Sequence, residues 1–178
     1  MIRSFKKYLG RAARDEKGSA SVEFVLIFPV YLSFMLMSIE LGFVTMRHTL
    51  LERGMDMAVR EVRLGTGAVP QHDAIKQLVC DNALMVLDCQ EKLRLEMRPA
   101  DPFSLQTLDT EPDCTDAAEP AKPVRTFTPG QANELMLLRI CYKYKPFFPE
   151  DFLGSALDKD PSGEAAIVSM TAFVQEPN

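Results

Sequence analysis

The stretch that decides the fold is residues 17–44, which read KGSASVEFVLIFPVYLSFMLMSIELGFV. From Phe24 to Val44 nearly every residue is large and apolar, and the exceptions are Pro29, Ser33, Ser38, Glu40 and Gly42. At about 1.5 Å rise per residue, a helix of this length spans the roughly 30 Å hydrocarbon core of a bilayer. The segment is therefore predicted to be a membrane anchor, with a buried helix of a soluble domain as the alternative.

Basic residues indicate how this anchor is oriented. Six Lys and Arg residues and two acidic residues precede Gly18, whereas the Arg residues after the anchor are interspersed with acidic ones. Because Lys and Arg resist transfer across a membrane, we expect the N-terminus in the cytoplasm and everything after Val44 on the exported side. No small-residue signal-peptidase site follows the apolar run, so the anchor is expected to remain in the mature protein.

Gly18 and Glu23 form a second signal at the junction of the basic leader and the anchor. Glycine beside a scissile bond lets the backbone extend into a protease cleft with no side chain in the way. A carboxylate in the membrane costs about 2.5–3.5 kcal/mol at the helix centre, less near the interface, and usually has a partner. Cleavage after Gly18 would create a partner of the right charge, the amino group of Ser19. The alternative is that Glu23 snorkels to the interface near Lys17.

These residues resemble the type IV prepilins, in which a membrane aspartyl peptidase cuts after a glycine and a glutamate occupies the fifth mature position. Residues 18–24, Phe28-Pro29 and residues 39–42 are similar, more specifically, to the TadE/TadF minor pilins of tight-adherence (Tad) pili. Looser similarities follow at residues 127–130, 139–142, 145–149 and 175–177. The resemblance implies a structural component rather than an enzyme, namely a minor pilin or pseudopilin for assembly or priming of a Tad-type pilus.

The resemblance also implies partners and residue roles. A prepilin peptidase would cut between Gly18 and Ser19, and Glu23, followed by Phe24, would pair with the N-terminus of a neighbouring subunit. Further expected partners are other minor and major pilins, the inner-membrane assembly platform and membrane lipid. The expected location is the bacterial inner membrane, single-pass with a periplasmic domain, and then the extracellular pilus. The alternative function is an uncleaved, membrane-tethered periplasmic binding or scaffolding protein in which Gly18 is fortuitous.

Two further residues of the anchor are unusual for a membrane helix. Pro29 removes one backbone hydrogen bond and is predicted to kink the helix. Glu40 lies near the outer end of the anchor, where it would either face the headgroups or contact a neighbouring helix. No proline follows between Val44 and Leu64, and the apolar residues there keep helical spacing. One helix of about 45 residues is therefore predicted to run from the anchor to a stop at residues 65–67.

The rest of the chain predicts an α+β domain with a small antiparallel sheet against the helices. Apolar spacing indicates a second helix that begins near His72 or Asp73 and runs to about Leu84 or Leu87. Three stretches are typical of strands, at residues 93–97, 135–145 and 165–175. The predicted organisation is a cleaved leader at 1–18, the anchor and continuing helix at 19–66, and an exported domain at 67–178 with an irregular, acidic, Pro-rich loop at 99–129.

All four cysteines, Cys80, Cys89, Cys114 and Cys141, follow the anchor. In an oxidising compartment an even number favours two disulfides, for which three pairings are possible. The favoured pairing joins Cys80 to Cys89, because that bond is local, and leaves Cys114 for Cys141. A straight helix would hold Cys80 and Cys89 too far apart, so the second helix must end between them if they pair.

The sequence offers no catalytic set and no cofactor motif. It has two histidines, no Gly-rich phosphate loop and no Ser nucleophile elbow, and its cysteines lack zinc spacing. Residues 158–163 place oxygens at the first, third and fifth positions of a calcium loop, but its twelfth position is Ser169, so a turn into the last strand is the better interpretation. Removing the leader would change the net charge from −5 to −9, which argues against nucleic acid as a partner.

Overall fold

The computed structural model describes residues 19–64, 71–101, 112, 114 and 127–177. Its first helix, α1 (Ser19–Leu64), is 46 residues long and continues through Pro29 without interruption. This confirms the single long helix that the sequence predicted, while the predicted stop at residues 65–67 lies outside the described residues. The kink predicted at Pro29 stays a prediction, and the helix assignment shows no break there.

The remaining elements also follow the predicted order. They are α2 (His72–Asn82), α3 (Cys89–Lys92), β1 (Leu93–Pro99), β2 (Leu135–Tyr144), α4 (Phe152–Ala156) and β3 (Ala165–Val174). The second helix ends earlier than predicted, because Ala83 has a ψ angle of 74°, outside the helical region. Met85 and Asp88 then have positive φ angles of 66° and 52°, so the helix does not resume. The short helices α3 and α4 were not predicted. Both are a single turn or little more, too short for apolar periodicity to reveal them.

The three strands form an antiparallel sheet in the order β1-β2-β3. In this register Leu95 lies opposite Ile140, and Ile140 lies opposite Ser169. Because side chains alternate along a strand, every second residue of each strand faces the helices. The helix-facing residues that are buried include Leu93, Leu95, Met97, Met136, Leu138, Ile140, Tyr142, Ile167 and Phe173. The fold class is thus α+β, as predicted.

The C-terminal half of α1 is the central helix of the domain core. Its buried residues Leu51, Met55, Ala58, Val59 and Val62 pack with Ile75 and Val79 of α2 and with the sheet. The two helices approach so closely that a Cβ atom built on Gly54 would lie 2.5 Å from the carbonyl oxygen of Val79. A side chain at Gly54 would therefore separate α1 from α2.

Both disulfides have the pairing that the sequence favoured. Cys80 is bonded to Cys89 and Cys114 to Cys141, with Cα–Cα distances of 5.7 and 5.3 Å. The second helix does end, at Asn82, between the first two cysteines. Cys141 is buried on the sheet face that points away from α1, together with the buried ion pair of Arg139 and Glu96, whose Nε and Oε2 atoms are 2.8 Å apart.

The far end of the domain is tied to the end of α1. Gln175, which follows β3, donates from Nε2 to the carbonyl oxygen of Val62 at 3.0 Å, and Glu176 pairs with Arg63 at 3.2 Å. The Val62 bond satisfies one of the carbonyls that the last turn of a helix leaves without a helical partner. The strands therefore run alongside α1, from this end back toward the anchor.

The N-terminal half of α1 has no such cover. From Ala20 to Met35 every residue is exposed, and coverage by the domain begins at Leu36. Within the described part of the chain, this is the one helix long and apolar enough to cross a membrane, and its most apolar part is not buried by the domain. These properties support membrane anchoring through α1.

Candidate functional site: the anchor and its junction with the domain

The N-terminal signature lies in the first turns of α1. Ser19 begins the helix and Glu23 is on its exposed surface, while Gly18 lies outside the described residues. Phe24 stacks on Phe28 one turn later, with ring centroids 4.9 Å apart. Cleavage after Gly18 and pairing of Glu23 with a neighbouring N-terminus stay predictions, because both need molecules other than this single chain.

Glu40 is bonded to a loop of its own chain, a setting that the sequence did not suggest. Its side chain is fully buried, at 0% exposure, within its own chain. Its Oε2 atom accepts hydrogen bonds from the backbone amides of Phe147 and Phe148, at 3.0 and 3.1 Å. Glu40 thus joins the anchor helix to the loop between β2 and α4. The predicted contact with a neighbouring helix stays a prediction.

The loop that Glu40 holds is also fixed from its other side. Gly154 of α4 packs on the backbone of this loop, where an added Cβ atom would collide with the carbonyl oxygen of Phe148. The amide of Asp151 donates to that same carbonyl at 3.2 Å, and α4 itself packs against α1. The loop is therefore clamped between the anchor helix and α4.

Aromatic and cationic side chains surround this bond. Phe43 contacts Phe147 with ring centroids 4.8 Å apart. The Arg47 guanidinium lies 4.9 Å from the centre of the Phe147 ring and 5.0 Å from that of Tyr144, within range of cation–π attraction. We refer to Glu40, Phe43, Arg47, Tyr144, Phe147 and Phe148 together as the junction. Its three α1 members are spaced three and four residues apart and share one helix face.

The junction contains two opposite charges, those of Glu40 and Arg47, and both affect Tyr144. Burial raises the pKa of the Tyr144 hydroxyl, the Glu40 carboxylate raises it further, and the Arg47 guanidinium lowers it. Tyr144 therefore stays neutral at physiological pH and leaves one negative and one positive group beside it. The nearby positive charge of Arg47 reduces the free-energy cost of burying the Glu40 carboxylate, compared with burying that carboxylate alone.

The face of α1 opposite the junction is exposed and carries small and hydroxyl residues. Each hydroxyl donates to the carbonyl four residues earlier, at 2.8–2.9 Å, so it needs no partner outside the helix. The back-bonded residues of this face are Ser38, Thr45 and Thr49, and Gly42 lies among them with no atom within 4 Å of an added Cβ. Ser33, on another face of the anchor, is bonded to its own helix in the same way. The face opposite the junction can meet lipid or another helix without leaving an unsatisfied donor.

The calcium-like residues 158–163 form the predicted turn. Asp160 Oδ1 accepts from the amides of Ser162 and Glu164 at 2.9 Å each, and Oδ2 accepts from Lys143 Nζ at 2.6 Å. Burial raises the pKa of the Asp160 carboxyl, but the bonds from Lys143 and Ser162 hold that pKa well below its ordinary value. Asp160 thus ties this turn to β2, and the described residues contain no group of three His, Cys, Asp or Glu side chains that could hold a metal.

Sequence reasoning missed most of the junction. Glu40 drew attention as an acid in an apolar helix, but Arg47, Tyr144 and Phe147 did not. Two signals were present: Phe43 and Arg47 share a helix face with Glu40, and the loop places Phe147 and Phe148 between two prolines. Neither signal says which loop meets which helix, since 107 residues separate Glu40 from Phe147.

Comparison with known proteins gives one match. Residues 18–60 match the family model described as TadE-like protein. The match begins at Gly18, includes Glu23, Glu40 and Arg47, and ends within the part of α1 that packs in the domain core. No curated protein and no solved structure matches this chain. Over residues 18–60, which are about a quarter of the chain, the protein is therefore similar to the TadE-like proteins.

Proposed function

We propose that this chain is a minor pilin or pseudopilin that takes part in assembling or priming a Tad-type pilus. A prepilin peptidase would release the leader by cutting between Gly18 and Ser19, and α1 would hold the product in the inner membrane with its domain in the periplasm. The observation that carries this proposal is the family match, which starts at Gly18 and follows the exposed apolar helix that bears Glu23.

The chemistry of assembly follows from the charge of Glu23. A carboxylate on a lipid-facing helix is costly unless an opposite charge pairs with it. Cleavage would supply such a charge on every subunit, the amino group of Ser19 at the start of α1. Pairing of Glu23 with the Ser19 amino group of a neighbour would neutralise both groups and align the two anchor helices in register.

The same helix offers the surface for packing between subunits. The apolar side chains from Val22 to Met35 are exposed along all faces of α1, so neighbouring pilin helices could replace lipid around them. Gly42 and the hydroxyls that bond back to the helix would let a neighbour approach closely above this stretch. Other pilins, the assembly platform and membrane lipid are the partners that this surface fits.

The junction gives the domain a fixed position on the anchor. Glu40, Phe43 and Arg47 hold the loop before α4, and the core residues of α1 hold the sheet. A subunit built in this way would enter an assembly as one body, with its disulfide-bonded domain carried by the helix that packs with its neighbours. This is a structural role and calls for no chemistry by the domain itself.

Complementation tests the proposal. A strain that lacks this chain should lose surface Tad pili, and the wild-type chain should restore them. Glu23→Ala should be processed yet fail to restore pili, whereas Glu61→Ala, which changes an exposed acid far along the same helix, should restore them. Pili would be counted by electron microscopy and by immunoblots of the sheared fraction. Normal piliation in the strain that lacks the chain would refute the function, and full rescue by Glu23→Ala would refute the role of Glu23.

A further inference from the structure

The structure sets where lipid can surround α1. The helix is bare from Ala20 to Met35, half-buried at Leu36 and Met37, and bonded to the domain at Glu40. At about 1.5 Å per residue, residues 20–39 extend roughly 30 Å, which is the thickness of the hydrocarbon core. If α1 spans a bilayer, the surface of that bilayer therefore lies near Glu40, one turn below the Val44 limit that the sequence suggested.

The loop bonded to Glu40 lies at this same level. The amides of Phe147 and Phe148 reach Oε2 of Glu40, and α4, which follows them, packs against α1. Two large apolar side chains of this segment point outward: Phe147 is 55% exposed and Phe152 is 80% exposed. Among the described residues, Phe152 is the most exposed large apolar side chain, more exposed than those of the bare anchor.

We propose that residues 145–156 lie on the bilayer that α1 spans and insert Phe147 and Phe152 into its headgroup region. This inference rests on the membrane anchoring proposed above. Lipid is the expected partner of these side chains. Phe147 and Phe152 are exposed and lie at the level where the bare part of α1 ends, which is where the bilayer surface is expected. Exposed aromatic side chains are typical of elements that lie in this interface.

Electrostatic attraction to anionic lipid would not bring residues 145–156 to the bilayer. Residues 145–156 carry Lys145 against Glu150 and Asp151, a net charge of −1, so the segment has no cluster of basic residues that would attract anionic lipid. The insertion would therefore come from the aromatic rings and would occur on zwitterionic lipid without an anionic component. It would also fix the tilt of the domain, which would touch the membrane through α1 and through this loop.

Tryptophan fluorescence tests the inference, because the chain contains no tryptophan of its own. Three single-tryptophan variants of the full chain would be reconstituted in zwitterionic phosphatidylcholine nanodiscs whose lipids carry bromine either near the headgroup or near the chain end. Phe152→Trp probes the loop and Phe34→Trp probes the anchor. Val174→Trp is the matched control, an exposed apolar site next to Gln175, which is bonded to Val62 near the far end of α1.

The inference predicts that Phe34→Trp is quenched by bromine deep in the bilayer, Phe152→Trp by bromine near the headgroup, and Val174→Trp by neither. If Phe34→Trp is quenched but Phe152→Trp behaves like Val174→Trp and is quenched freely by acrylamide, the loop does not touch lipid and the inference is wrong while the anchor stands. If Phe152→Trp is shielded from both bromine and acrylamide, protein covers it, and the inference is equally wrong. Absence of quenching at Phe34→Trp would contradict the anchoring itself.

Discussion

Replacing Glu40 should release the loop that carries Phe147 and Phe148. Two hydrogen bonds to a carboxylate oxygen are lost in Glu40→Ala, and each such bond contributes about 1.5–3 kcal/mol. Water can reach this half-exposed loop and offset part of the loss, so we expect a net cost of about 3 kcal/mol for opening the loop. Since 1.4 kcal/mol is a factor of ten, the two amides should exchange with solvent about 100-fold faster.

Amide hydrogen exchange of the full chain in nanodiscs measures this directly at the two sites. Glu40→Gln keeps an acceptor oxygen in place but removes the charge, so its amides should exchange only about 5-fold to 10-fold faster. Glu61→Gln, the same change at an exposed position of α1, should leave both rates unchanged. Unchanged exchange of Phe147 and Phe148 in Glu40→Ala would refute the reasoning, because the carboxylate would then not hold the loop.

Three further predictions concern the stability of the domain, each measured by denaturant unfolding in detergent. Gly54→Ala should lower the free energy of unfolding by about 1–3 kcal/mol, because its Cβ would meet the backbone of α2. Gly42→Ala should leave that free energy unchanged or raise it by up to about 1 kcal/mol. Equal effects of the two substitutions would contradict the close contact between α1 and α2. Replacing both Cys114 and Cys141 by Ala should cost about 3.5 kcal/mol, from the chain entropy of a 27-residue separation, and no cost would argue against that bond. The lowered pKa of Asp160 means that its contribution is present at neutral pH and is lost as pH falls below about 4. Asp160→Asn should therefore be less stable at neutral pH and lose less on acidification, and an unchanged acid profile would contradict this role.

Most of the fold was predictable because it depends on local patterns. The apolar run and the helical spacing after it give α1 its length, and the alternating and β-branched residues of the last stretch give β3. The early end of α2 was not predictable in the same way. It depends on the non-helical backbone at Ala83 and the left-handed backbone at Met85 and Asp88, and neither proline nor glycine marks these positions in the sequence.

In the candidate site, too, local features were predictable from the sequence and long-range contacts were not. Gly18 and Glu23 are recognisable because they lie five residues apart, whereas the partners of Glu40 lie more than 100 residues away. An acid in an apolar helix indicates that some partner exists, but only the packing of α4 on α1 brings the amides of Phe147 and Phe148 to it. The sequence therefore singled out Glu40 as unusual, but it could not identify the two amides to which its carboxylate is bonded.

Intact mass and N-terminal sequencing of the protein from native membranes test the central claim most directly. The wild-type chain should begin at Ser19, whereas the Gly18→Arg variant, and the wild-type chain in a strain without prepilin peptidase, should retain the leader. A wild-type protein that still begins at Met1 would contradict the pilin account and favour a tethered periplasmic protein.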